Sequence, residues 1–194
     1  ALQATADELT NSGTGSAGDI ILKSTGALNN SGALAAKTRL QATAGALSNI
    51  GTLSAANLGL ESSAITNAGL LQGTQSLSLL GDSLDNQASG SIATAGDLAL
   101  DLPDFINSGL LSADGALHLS GERLTNSGEI NAASLTSDNS TLNNLAGGKL
   151  LATGAMQLTN AQLDNAGQIA ADGLAVRATT LANNGGIQGT NGLS

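Results

Sequence analysis

Ten asparagines are the most regularly spaced hydrogen-bonding groups in this sequence. Each follows an apolar residue by two positions, and the steps between them are 19, 19, 18, 19, 21, 19, 18, 21 and 18 residues. An amide side chain donates and accepts hydrogen bonds, so stacked asparagines can bond from repeat to repeat. The spacing predicts an internal structural ladder, with a ligand-binding row on the surface as the alternative. The ladder residues are Asn11, Asn30, Asn49, Asn67, Asn86, Asn107, Asn126, Asn144, Asn165 and Asn183.

The acidic side chains form one dense cluster. Asp97, Asp101 and Asp104 fall within one eight-residue stretch, next to Pro103 and Phe105, which are the only proline and phenylalanine. Two or three such carboxylates could hold Ca²⁺ weakly. The alternative, which we favour, is that they are solvated side chains at a turn. We therefore predict no metal site and no cofactor.

Other chemically reactive side chains are isolated in the sequence. His118 lies between Leu117 and Leu119, so strand alternation directs it to solvent. Phe105 and Met156 stand where other repeats carry leucine, which predicts core positions. Polysaccharide-degrading enzymes need clustered carboxylates, often with basic partners. Because the basic residues are scattered, we predict no catalytic activity, and a β-helical polysaccharide-degrading enzyme is an alternative. The six basic residues are Lys23, Lys37, Arg39, Arg123, Lys149 and Arg177.

Short strands must position the asparagines. An apolar residue precedes each asparagine by nine positions, and alternating pairs such as Leu98/Leu100 show the period of two of a strand with one buried face. In the second repeat, Ile20, Ile21 and Leu22 allow either register, and the count of nine selects Ile21. The predicted strand leaders are Leu2, Ile21, Leu40, Leu58, Leu77, Leu98, Leu117, Leu135, Met156 and Leu174.

Variation in repeat length follows the asparagine. Nine, ten or twelve residues separate an asparagine from the next leader, and eight repeats read Asn-x-Gly. The two longest repeats lose that pattern, at Asn86–Gly90 and Asn144–Gly148. Asparagine tolerates the left-handed backbone of sharp corners, and glycine frees the turn after it. We therefore predict that the asparagine corner is fixed, that one other corner is a tolerant loop, and that a binding site would lie there.

These features predict an all-β fold, a parallel β-helix of about ten coils with 18–21 residues each. A repeat that runs through residues 1–194 predicts one domain whose coils bury their apolar side against their neighbours. Glycine, asparagine, serine and threonine interrupt every candidate helix, which argues against an α-solenoid. A leucine-rich repeat requires Leu-x-Leu-x-x-Asn, but Leu58-Gly59-Leu60 is followed by Ser63 three residues later.

The composition narrows the classes of partner. The net charge is −9, with 15 acidic and six basic residues, so we expect no binding to nucleic acid or to anionic membranes. Tryptophan, tyrosine and cysteine are absent, and no apolar run of about 18 residues could span a bilayer. No basic and then apolar leader precedes the first repeat. Because Ala1 already lies inside the repeat, we expect the chain to be part of a longer protein.

The repeat resembles that of a known group of secreted proteins. Residues 28–36 read Leu-Asn-Asn-Ser-Gly-Ala-Leu-Ala-Ala, and residues 163–171 read Leu-Asp-Asn-Ala-Gly-Gln-Ile-Ala-Ala. This pattern resembles the repeats of filamentous haemagglutinins and of contact-dependent growth inhibition toxins, which are exported by two-partner secretion. The resemblance covers essentially the whole chain. It implies a right-handed parallel β-helix in a long bacterial exoprotein that projects from the outer membrane.

The resemblance leads to several functional expectations. The chain is expected to be a stalk segment that presents adhesive or toxin-delivery domains, secreted and held at the bacterial outer surface. An alternative is an adhesin that binds a target-cell receptor or host surface through its inserted corners. The expected partner of the full-length protein is an outer-membrane transporter. We expect no small-molecule substrate, and end-to-end self-association is expected because the first and last coils lack caps and expose strand edges.

Overall fold

The computed structural model describes all 194 residues, and its regular elements are all strands. It contains no helix that is long and apolar enough to cross a membrane. Seventeen strands follow one another along the chain. They are β1 (Leu2–Ala6), β2 (Leu9–Asn11), β3 (Thr14–Ser24), β4 (Ala27–Asn30), β5 (Ala33–Asn49), β6 (Thr52–Asn67), β7 (Leu70–Leu80), β8 (Ser83–Asn86), β9 (Ser91–Thr94), β10 (Leu98–Asp101), β11 (Asp104–Asn107), β12 (Leu110–Asn126), β13 (Glu129–Asn144), β14 (Lys149–Ala152), β15 (Ala155–Asn165), β16 (Gln168–Asn183) and β17 (Gly186–Leu193).

Each coil pairs in parallel with the next, so the strands stack into a β-solenoid of about ten turns. The predicted fold class is therefore confirmed. At roughly 4.8 Å per coil, ten coils make a rod on the order of 48 Å long. We number the levels of the rod by their asparagines, from level 1 at Asn11 to level 10 at Asn183.

Every coil contains three strand segments, which β9, β10 and β11 show separately. The leader segment begins with the strand leader, the asparagine segment ends at the ladder asparagine, and the third segment leads to the next leader. Three corners join them. The first corner joins the leader and asparagine segments, the asparagine corner follows, and the last corner closes the coil. Long strands such as β5 continue through corners, where the pairing register can shift, as it does between Ala36 and Arg39.

A single apolar core fills the rod because side chains alternate along every segment. Leu98 and Leu100 of β10 point inward, while Ala99 and Asp101 face solvent. One cluster of 40 buried apolar residues runs continuously from Ile20 to Leu174, so the rod has no break between subdomains. Phe105 and Met156 are 2% and 1% exposed, which confirms the core positions predicted for both.

One predicted strand leader is wrong. Ile20 pairs with Leu2 and Leu40, so it leads the second coil, and Ile21 faces outward. With Ile20 and Leu22 inward, two large side chains are buried, whereas the other register would bury only Ile21. The first corner of this coil holds one extra residue, and its leader lies ten positions before Asn30.

The prediction that only one corner varies, and that the asparagine corner is fixed, is also wrong. Each two-residue insertion directly follows an asparagine. Five positions separate Asn86 from Ser91, which starts β9, but only three separate Asn107 from Leu110, which starts β12. Ser91 and Leu110 are paired in the sheet, so the extra residues lie between Asn86 and Ser91.

The remaining differences in coil length, of one residue each, lie at the last corner. There the pairing register shifts, for example between Ala113 and Ala116 of β12. Counting residues from an asparagine to the next leader adds the lengths of the asparagine corner and the last corner. The count therefore assigns the variation of both corners to a single corner.

Candidate functional site

The ten asparagines form one continuous hydrogen-bonded column at the asparagine corner. In all nine steps, the amide nitrogen Nδ2 of one asparagine donates to Oδ1 of the next, over 2.7–2.8 Å. The eight asparagines from Asn30 to Asn165 are at most 1% exposed. The column therefore lies inside the protein, where a ligand from solution cannot reach it.

The same amides also bind the backbone of two coils. Nδ2 of Asn126 lies 3.2 Å from the carbonyl oxygen of Gly128 in its own turn and 3.1 Å from that of Lys149 in the next coil. The backbone bonds at this corner run in the opposite sense, since the amide of Ser127 donates to the carbonyl of Asn107. Adjacent coils are thus joined in both directions at this corner.

The expected left-handed backbone at the asparagines is wrong, because only Gly121 and Gly147 have positive φ. What recurs at this corner is instead a close approach between glycines in successive coils. A Cβ on Gly109 would lie only 2.2 Å from the carbonyl oxygen of Gly90. In the two long coils, the glycine moves two residues along, to Gly90 and Gly148, and keeps its place in this glycine column.

A small polar cluster is buried at the first corner of levels 8 and 9. Ser137, Asn139 and Asn160 are 0%, 2% and 6% exposed. The Ser137 hydroxyl donates to Oδ1 of Asn139, and the Asn160 amide donates to the carbonyl of Asn139 over 2.7 Å. Oδ1 of Asn160 is buried without a hydrogen-bond partner. No periodic signal in the sequence indicated this cluster.

The three clustered carboxylates each bind a different group of the next coil. Asp97 accepts from the backbone amide of Ala116 over 2.8 Å, and Asp101 accepts from the Ser120 hydroxyl over 3.1 Å. Asp104 forms two bonds of 2.7 and 2.8 Å with the guanidinium of Arg123. The Arg123 hydrogen bonds hold the pKa of the Asp104 carboxyl below its usual value.

The structure contains no group of three or more acidic, histidine or cysteine side chains that could hold a metal ion. His118 faces solvent, as alternation predicted, and its Nδ1 lies 3.9 Å from a carboxylate oxygen of Asp138. Both side chains are about half exposed.

Charged and amide side chains meet on the outer face of β13 and β14. Lys149 Nζ lies 3.2 Å from Oε2 of Glu129, and the Asn131 amide donates to the other carboxylate oxygen over 2.6 Å. These two contacts, the Asn131 bond first, lower the pKa of the Glu129 carboxyl. The third segments of levels 7 to 10 form a groove beside this pair, with a volume of about 600 Å³.

The two inserted turns enclose a single cleft. A backbone bond closes each turn, from Gly90 to Gln87 over 2.7 Å and from Gly148 to Leu145 over 2.9 Å. The cleft between them has a volume of about 450 Å³, and Gly109 of level 6 and the other short turns at levels 6 and 7 form its floor. The sequence marked both insertions, but only the stacking shows that they face each other.

Comparison of the chain with models of protein families, with curated proteins and with solved structures gave no match. The resemblance of the repeats thus depends on the residues of the repeats themselves. Two arrangements in the molecule could carry function: the buried asparagine column, which holds the rod together, and the open cleft between the inserted turns.

Proposed function

We propose that this chain is a structural stalk segment of a large secreted bacterial surface exoprotein that presents adhesive or toxin-delivery domains. The observation that supports this proposal is the unbroken asparagine column, which links all ten levels. Each buried amide binds the adjacent coil at two atoms, so bending the rod would break paired polar groups in its interior. An internal ladder of this kind favours a stiff spacer.

A stalk has two mechanical tasks, which are to hold a fixed length and to resist bending. Three strand segments per coil, stacked around one core, give the rod a closed cross-section, and its length grows by one strand spacing per coil. Variation in the outward side chains does not alter this framework, because the core and column set the geometry. We further propose that the rod lies at the bacterial outer surface, that an outer-membrane transporter exports the full-length protein, and that the rod has no catalytic activity.

The engagement of the acidic side chains supports a role without catalysis. A general acid or base must be free to exchange a proton with a substrate. Asp97, Asp101 and Asp104 each bind a group of the next coil, so each of them links two adjacent levels.

The rigid-stalk proposal is tested by distance measurements, for which the absence of native cysteine is an advantage. Spin labels on Ile50→Cys and Leu145→Cys occupy equivalent outward positions, each directly after a ladder asparagine and five levels apart. We expect a narrow distance distribution near 24 Å, from five spacings of roughly 4.8 Å. A broad distribution extending to much longer distances would contradict a stiff spacer.

A second candidate function is direct binding of a target-cell receptor or host surface. The specific observation in its favour is that both insertions, at residues 87–90 and 145–148, line the same cleft. The test compares binding to cells by the native chain and by a variant without Ala88, Ser89, Ala146 and Gly147. The stalk proposal expects no saturable binding by either chain, while saturable binding lost on deletion would establish the second function.

The deletion has a matched control within the rod. Removal of residues 31–49 takes out one whole coil of 19 residues that carries no insertion, and keeps the repeat in register. In cells that export the full-length protein, a passive stalk tolerates either deletion. Loss of the distal activity only in the variant without insertions would contradict the stalk proposal.

A further inference from the structure

The insertion at level 8 has the shape of a knob, and the cleft beside it has the shape of a hole. Leu145–Gly148 is a closed turn one coil thick, or roughly 4.8 Å. The cleft spans the two levels between the insertions, or roughly 9.6 Å. The hole is therefore wide enough for one such turn, and both features lie on the same side of the rod.

Knob and hole each carry an exposed leucine. Leu145, the first residue of the knob, is 45% exposed, and Leu110 on the floor of the hole is 37% exposed. Glycine and serine form much of the remaining lining, including Gly109 and Ser108. Small side chains let another backbone approach closely, and two exposed leucines lose their contact with water if they meet.

We infer that this side of the rod is a self-association surface on which two copies of the chain interlock. A two-fold axis between levels 7 and 8 turns the rods antiparallel and places the Leu145 turn of each copy over levels 6 and 7 of the other. Each copy then supplies one knob and one hole, which is the self-complementary arrangement that a two-fold interface requires. Leu145 of each copy faces Leu110 of its partner.

Charge opposes this contact between copies, since each chain carries a net charge of −9. Within the cleft, Lys149 already neutralises Glu129, so the local surface is nearly uncharged. The association should therefore strengthen as salt screens the long-range repulsion. An interface of one turn and one cleft per copy is small, and we expect a weak, reversible dimer.

Covalent trapping of engineered cysteines is suited to a weak dimer in a chain without native cysteine. Leu110→Cys and Leu145→Cys, on chains of different size, are mixed and treated with a short bifunctional maleimide. Ile50→Cys replaces Leu145→Cys in the control, because Ile50 holds the equivalent position after Asn49, is more exposed at 63%, and lies at a level without an insertion. Circular dichroism and thermal melting check that every variant is folded.

We expect several-fold more cross-linked product between positions 110 and 145 than between positions 110 and 50, and a higher yield in 300 mM than in 20 mM salt. Removal of Ala146 and Gly147 from the Leu145→Cys chain should reduce the product to the control level. Equal yields for both cysteine pairs, a yield unaffected by this deletion, or one that falls with salt would overturn the inference. None of these results bears on the spin-label distance, so this inference and the stalk proposal can fail separately.

Discussion

The asparagine corner and the first corner both turn the chain of every coil, but they are built in different ways. At the asparagine corner, the same residue recurs at all ten levels and bonds to its own copies. At the first corner, the equivalent position changes from coil to coil. Successive levels carry Ala44, Ser62, Gly81, Leu102, Gly121, Asn139, Asn160 and Ala178 there.

The difference follows from how an amide is satisfied. A buried asparagine needs a donor on one side and an acceptor on the other, and in a stacked fold both must come from adjacent coils. A column with a member at every level meets this need throughout its interior. Where only Asn139 and Asn160 are present, the adjacent coils supply glycine and alanine, and Oδ1 of Asn160 has no partner. A buried amide therefore stabilises the fold less when it is isolated than when it belongs to a continuous series.

The largest expected effect comes from interrupting the complete column. Asn126→Ala removes the acceptor of Asn107 and the donor to Asn144. We expect a loss of about 3 kcal/mol, or a fall in Tm of about 6–12 °C by calorimetry. The control is Asn143→Ala, at an outward position beside the column. An equal change in Tm for the two variants would refute the difference between buried column and surface.

The matched substitution at the first corner tests whether an isolated amide matters as much. Asn160→Ala removes bonds to the carbonyl of Asn139 and the hydroxyl of Ser137, but it also removes the unpartnered Oδ1. These contributions oppose each other, so we expect a net loss of about 1 kcal/mol and a fall in Tm of about 2–4 °C. A loss as large as that of Asn126→Ala would show that the two corners are energetically equivalent.

Adding a partner should make the first corner more like the asparagine corner. Ala178 pairs with Asn160 in the next coil, so the hydroxyl of Ala178→Ser can donate to the free Oδ1. We expect Tm to rise by about 1–3 °C, the effect of a single neutral hydrogen bond. Ala175→Ser, on the outward face of the same strand, is the control and should leave Tm unchanged. A fall in Tm for Ala178→Ser would contradict the conclusion that Oδ1 of Asn160 lacks a hydrogen-bond partner.

The smallest expected effect concerns a contact between levels that is made at the surface. Arg123 lowers the pKa of Asp104 in the folded protein, so this pair stabilises the fold above the unfolded pKa, and its contribution is lost as pH falls through the folded pKa. Because both side chains are about half exposed, Asp104→Asn should lower Tm at pH 7 by about 2 °C at most. The difference in Tm between this variant and the native protein should shrink on acidification. A difference that grows in acid would contradict the predicted direction.

The sequence was sufficient to predict the fold and the members of the asparagine column, because both repeat at every level. Alternation of apolar residues and a recurring Leu-x-Asn are local signals, and stacking copies them along the rod. Asn139 and Asn160 could not be predicted as a buried pair, since no other level repeats them. Ile21 was wrongly assigned because three successive aliphatic residues fit either face of a strand.

The position of the insertions could have been obtained from the sequence. Aligning Gly90 with Gly109, instead of counting to the next leader, places the two extra residues between asparagine and glycine. The shared cleft could not be predicted from the sequence, because it depends on two turns that are three levels apart but lie on the same side of the stack. Such a relation exists only after the coils have been assembled.

The column of amides has a direction, and so every cross-section of the rod has two unlike faces. One face presents an amide acceptor, as Asn11 does at level 1, and the other presents an amide donor, as Asn183 does at level 10. The hydrogen-bonded column continues across a junction between two rods only where a donor face meets an acceptor face. Rods that join at their ends must therefore all point the same way, whereas two identical ends would bring donor against donor or acceptor against acceptor.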